Sequence, residues 1–152
     1  MPLIPSETLM PYNYFAPRPG RLGVLPVPFQ SGRLNTGTLA AGTQTHNIGG
    51  FAPTCYINRA TLCAETFPTA ATSCVVTLFK MTGATALALT SGLDINTKTA
   101  DTPLQFTVLS TLTDAQRTLN PGDSLRVSIV TVGSVTTQPD DVTVNVELLI
   151  EN

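Results

Sequence analysis

The chain has 152 residues, a formal net charge of −2 and a pI near 5.1. Of these residues 42% are hydrophobic and only 12% are charged. That length makes one ordinary domain plus an appendage, with ample apolar content for a single core. Two lysines and an acidic balance exclude the run of phosphate contacts on which nucleic-acid affinity rests, and no apolar run is long enough for a transmembrane helix.

Residues 1–33 hold seven of the twelve prolines, four of the nine aromatics, three arginines and one carboxylate, Glu7. Proline fixes φ and removes a donor, so this spacing predicts an extended arm and leaves no room for a helix or a paired central strand. Large apolar groups recur along the arm and need a surface to bury them. The expected partner-binding residues are Leu3, Ile4, Leu9, Tyr12, Tyr14, Phe15, Arg18, Arg21, Leu25 and Phe29, with the aromatics as anchors on a neighbouring subunit; a lid folded back over the chain's own sheet and a disordered tail are the alternatives. Residues 1–50 carry a net +2 and residues 51–152 a net −4, which suits a weakly basic arm seeking an acidic surface. No basic n-region precedes an apolar core at the N-terminus, so no secretory signal is expected.

Residues 34–152 read as an all-β body, an antiparallel sandwich or barrel of about eight strands, jelly-roll-like. The pattern there changes to period two, with Gly, Pro and Asp punctuation every eight to twelve residues. Strands are expected near Leu39–Asn47, Cys55–Glu65, Ser73–Met81, Thr85–Leu89, Leu93–Thr97 and Leu104–Leu112. Neither face of the Cys55 strand is decisively apolar. Val75-Val76-Thr77-Leu78-Phe79 is apolar on both faces, which predicts a central strand covered on each side, one side by a partner. Thr113–Thr118 fits either one helical turn capped by Thr113 or Asp114, or a loop. Asn120-Pro121-Gly122-Asp123 fits a type II turn. A strand at Leu125, Val127 and Ile129 follows. It is expected to pair, through the Gly133–Asp141 loop, with a last strand whose Val142, Val144, Val146, Leu148 and Ile150 face the core.

No catalytic set is recognisable, so the chain is read as a non-enzyme with no cofactor. His46 is the single histidine and has no second histidine with which to share a metal. Asp94-x-Asn96 and Asp140-Asp141 read as solvated loop acids, because Lys98 occupies the place of a third calcium ligand. Cys55, Cys63 and Cys74 match no zinc spacing and read as reduced, buried thiols.

The segments ALALTSGLDINTK, LTDAQRTLNPGDSLRVSIVTVG and DDVTVNVELLI, roughly residues 84–150, resemble decoration (cement) proteins of tailed bacteriophages. The resemblance implies a structural virion protein that adds to the outer face of an icosahedral capsid, commonly as homotrimers, and stabilises it. Its implied partners are the major capsid protein and further copies of itself. Its implied location is the capsid surface after synthesis in the host cytoplasm. The alternative is a receptor- or carbohydrate-binding β-module of a tail fibre or surface appendage, with the arm as its attachment peg.

Overall fold

The computed structural model describes residues 24–34, 36–51, 54–70 and 72–151. In chain order the strands are β1 (Val24–Arg33), β2 (Gly42–Gly50), β3 (Cys55–Cys63), β4 (Thr69–Ala70), β5 (Ser73–Thr82), β6 (Thr85–Ala88), β7 (Leu93–Asp94) and β8 (Leu104–Gln105). Helix α1 (Asp114–Arg117), β9 (Thr118–Leu119), β10 (Ser124–Val132), β11 (Val135–Thr137) and β12 (Thr143–Glu151) follow.

Two antiparallel sheets face each other. One runs β1-β12-β3, with β8 and β9 side by side along the far edge of β3. The other runs β2-β10-β5, with β6 and β7 along the far edge of β5. β1, β2, β3 and β5 alternate between the sheets, the chain crosses back through β8 and β9 before β10 and β12 alternate again, and the last strand returns to lie beside the first. This is the double Greek key of a jelly roll, one of the antiparallel all-β architectures that the sequence allows. The hairpin expected between β10 and β12 does not form. β10 pairs with β2 and β5, whereas β12 pairs with β1 and β3, so the 133–142 connection crosses between sheets and ties down on its way as the β4–β11 ribbon. Alternation alone fixes which face of a strand is buried and says nothing about which strand lies beside it.

The core fills the space between the sheets, with Val76, Leu78, Leu125, Val127, Ile129, Val142, Val144 and Val146 at its centre. In β12 the expected inward positions are the buried ones, with Ile150 half-buried at the end. The ambiguity of β3 has a physical cause. Ile57 pairs with Leu148 and Arg59 with Glu147, which leaves Asn58 as a bulge. Cys55 and Ile57 point inward before it, and Ala60, Leu62 and Ala64 after it, so the inward register changes parity within one strand.

The largest departure concerns the arm. Its last ten residues are β1, paired antiparallel with β12 from Val24↔Glu151 to Arg33↔Thr143. The arm boundary at residue 33 is therefore corrected to lie before Val24, and β1 is an edge strand that tolerates two prolines. Val144 donates its N–H to Ser31 Oγ at 3.0 Å, and Leu34 donates to the Val142 carbonyl at 2.8 Å. Even-numbered β12 residues thus face β1, and by alternation Leu25, Val27 and Phe29 carry the ladder. Pro26 and Pro28 turn their ring nitrogens to the free edge, where no donor is needed.

Candidate interaction surfaces

The expected anchors Leu3, Ile4, Leu9, Tyr12, Tyr14, Phe15, Arg18 and Arg21 lie outside the described residues. Leu25 belongs to the β1 ladder opposite Ile150. Phe29 belongs to β1 and packs against the body. Its ring meets Phe51 edge-on with centroids 5.3 Å apart and an interplanar angle of 65°. Gly49, at φ +146°, makes room for it, since a Cβ there would fall 2.8 Å from Phe29 Cζ. Phe51 in turn accepts from Gly122 N and donates to the Asp123 carbonyl, which seats the 120–123 turn against this aromatic pair.

That turn is held from inside. Asp123 N donates to the Asn120 carbonyl at 2.9 Å, and Gly122 takes φ +92°, as a type II turn requires. The Asp123 carboxylate accepts from Thr82 Oγ1 at 2.6 Å and Asn120 N at 2.8 Å, and it lies 3.2 Å from Lys80 Nζ, which also donates to the Thr118 carbonyl. Lys80 is 8% exposed and Asp123 4%. Burial acts to raise the Asp123 carboxyl, but the hydrogen bonds from Thr82, Asn120 and Lys80, with the ammonium's charge, outweigh it and hold the group below its ordinary value. Sequence reasoning passed over this pair, although one signal existed. Lys80 falls in the inward register of Cys74, Val76 and Leu78, where a lysine needs a buried partner.

The other candidate groups serve the fold. His46 lies in the inward register of β2 opposite Val127, and its Nε2 has no hydrogen-bond partner among the described residues; burial pushes its pKa down. Asp94 accepts from Cys74 N at 3.3 Å and Asn96 N at 3.0 Å, while the Asn96 carboxamide bonds both the N–H and the carbonyl of Ala70. Asp94 is exposed, as the reading of a solvated loop acid expects, and the Asp94 and Asn96 oxygens also brace β5 and β4. Asp140 and Asp141 both pair with the exposed Arg33 guanidinium. Among the described residues no group of three ligating side chains could hold a metal ion. The three cysteines are free. Burial raises the Cys55 and Cys74 thiols, while Cys63 is half-buried.

The outer faces of the sheets differ in chemistry. On the β1-β12-β3 face Arg59 pairs with Glu147 at 3.3 Å, and Asn58 donates to the same carboxylate. Part of that face lies under α1, whose capping box is formed by Thr113 and Gln116, which decides between the alternatives the sequence left open, and whose Arg117 donates to Tyr56 Oη at 3.0 Å. On the β2-β10-β5 face the outward register reads Thr43, Thr45 and Asn47; Ser124, Arg126, Ser128, Val130 and Val132; and Ser73, Val75, Thr77 and Phe79. Arg126 is the one charge among these, and Val130 and Val132 are 40% and 48% exposed.

The edges differ too. Leu78 accepts from Leu89 N and donates to Thr90 Oγ1, and Cys74 accepts from Ile95 N, so the even-numbered backbone of β5 faces away from β10. Alternation across β10 then places Gly42, Gln44, His46 and Gly49 in the ladder and turns the N–H and C=O groups of Thr43, Thr45 and Asn47 to the free edge. None of these outward groups has a partner among the described residues.

No family model matches the chain, and no curated protein matches it in sequence. One solved structure, that of infectious bursal disease virus Gx strain, aligns over 86% of this chain with 16% identity and a TM-score of 0.41. The chain spans 33% of that neighbour's length. The jelly-roll assignment rests on the strand order, not on this loose likeness.

Proposed function

We propose that this protein is a structural virion protein that decorates and stabilises the outer surface of an icosahedral phage capsid, with the segment before Val24 clamping capsid or neighbouring subunits. The observation that carries the reading is the β2-β10-β5 face: a wide sheet surface of threonine, serine and valine with one charge, on a fold that recurs in capsid and lectin domains. A free-standing protein keeps such a face charged; a protein that works as one tile among others has it covered. Because a fold does not by itself assign a role, the capsid is the claim to test.

Purified capsids, emptied and expanded, are mixed with the full chain or with a chain lacking residues 1–23, and bound mass and melting temperature are measured. Regular copy number with a raised melting point for the full chain, and weaker binding for the shortened one, is the expected result. Absence of binding by both would end the decoration reading.

A further inference from the structure

The β1-β12-β3 sheet turns outward a face of different chemistry from the threonine and valine surface on the other side. Three strands lay two rows of side chains across it: Pro28, Glu147 and Arg59 in one row, and Gln30, Asn145 and Thr61 in the next. Neighbouring strands stand about 4.8 Å apart and successive outward residues about 7 Å apart along a strand, so the two rows frame a patch about 10 Å by 7 Å. Within it lies a depression of about 210 Å³ lined by Pro28, Arg59, Thr61, Asn145, Val146 and Glu147. The lining comes from three strands side by side and takes no more than three consecutive residues from any of them. That outline suits a compact ring and not an extended peptide.

Its polar groups are held in place by the protein itself. The Glu147 side chain is 15% exposed, and its two oxygens are fixed from either side, Oε1 by the Asn58 carboxamide and Oε2 by Arg59 Nε at 3.3 Å. A carboxylate oxygen has two lone pairs, so each can still accept from a further donor. In the next row the Asn145 carboxamide and the Thr61 hydroxyl are half-buried, and neither side chain has a hydrogen-bond partner among the described residues. Acceptors and donors already fixed in this way reduce the ordering that binding costs.

Charge decides the class of ligand. Arg59 and Glu147 cancel, so an anion drawn to the guanidinium meets the carboxylate and a cation drawn to the carboxylate meets the guanidinium. An apolar ligand would strip water from the carboxamide and the hydroxyl with nothing in return. A neutral, compact molecule that both donates and accepts fits the lining. A sugar ring has that chemistry, with adjacent hydroxyls for the carboxylate and the carboxamide and a C–H face for the exposed Pro28 ring.

We propose that this depression binds one neutral pyranose unit of a glycan, with Glu147 accepting from its hydroxyls, Asn145 donating and accepting, and Thr61 completing the second row. The site stands apart from the capsid reading: it lies on the sheet opposite the face proposed to be covered, so both surfaces can be occupied at once.

Saturation-transfer NMR of the full chain with glucose, galactose, mannose, N-acetylglucosamine or rhamnose reads binding directly, without capsids. A single ring held by so few groups binds with a Kd on the order of 1–10 mM. At least one of the sugars should show transfer. Asn145→Ala and Thr61→Val should each weaken that sugar about fivefold with the melting temperature unchanged, because neither side chain bonds the rest of the described chain. Arg126→Ala, on the opposite sheet, should leave sugar binding as it is. No transfer from any of the five sugars at about 50 mM would overturn the proposal. So would binding that survives both Asn145→Ala and Thr61→Val, an equal loss in Arg126→Ala, or displacement of the sugar by equimolar inorganic phosphate, which would mark an anion site.

Discussion

Replacing Asp123 with alanine should be among the most damaging single changes outside the apolar core. The carboxylate has three partners in the structure, Thr82 Oγ1, Asn120 N and Lys80 Nζ, and its loss leaves an ammonium that is 8% exposed with no counter-charge. Breaking a buried pair from one side costs about 3–5 kcal/mol. For a chain of this length that lowers the melting temperature by about 10–15 °C. Urea unfolding followed by circular dichroism measures the first quantity and calorimetry the second. Combining Asp123→Ala with Lys80→Met removes the stranded charge and should recover part of the loss. The pair also sets an acid limit. Because the folded carboxyl sits below its unfolded value, its contribution is whole above about pH 3.9 and is lost as pH falls from there through the folded value. The alanine variant should lack that segment of the stability profile. A variant within about 1 kcal/mol of the parent, or a double variant no more stable than the single one, would refute the clamp.

Further outcomes follow from the same geometry. Removing residues 1–23 should leave the sandwich folded, whereas removing 1–33 strips β1 from β12 and Phe29 from Phe51 and should abolish the cooperative transition seen by calorimetry; equal melting of the two truncations would contradict the β1 assignment. Gly49→Val should cost about 2 kcal/mol or more, from a Cβ 2.8 Å from Phe29 Cζ at positive φ, and a variant that melts like the parent would show that the ring is free to move. Burial lowers the His46 pKa, so the unfolded chain takes the proton first: this contribution to stability is whole above about pH 6.5 and declines as pH falls through the lower folded value. As the single histidine, it can be titrated by NMR without assignment, and a midpoint at or above 6.5 would refute its burial.

What the sequence made legible is what alternation encodes. β10 and β12 bury the residues their period predicts, the 120–123 turn forms where its residue types require, and an antiparallel all-β body follows from strand count and punctuation, whereas β5, apolar on both faces, shows its inward face only in the structure. What it hid has particular causes. The bulge at Asn58 shifts the inward register of β3 halfway, so neither face read as core. The density of prolines in β1 argues against a strand, whereas Pro26 and Pro28, two residues apart, fall on one side of it and are compatible with an edge. Pairing of β10 with β2 and β5 depends on contacts 79 and more residues apart in some cases, such as Arg126 with Asn47, which no local pattern carries. Of the proposed anchors, the structure absorbs Phe29 into the body. The Lys80–Asp123 pair was visible only to a reader asking why a lysine stands in a core register.

That buried lysine changes how the protein can be handled. Lys80 and Lys98 are the chain's two lysines, and Lys98 is exposed on the loop after β7. Among lysine side chains an amine-reactive label or cross-linker therefore meets one site on the folded protein. A second modified position would appear only when the 120–123 turn lets go, which makes the labelling pattern itself a reporter of opening in that corner of the sandwich.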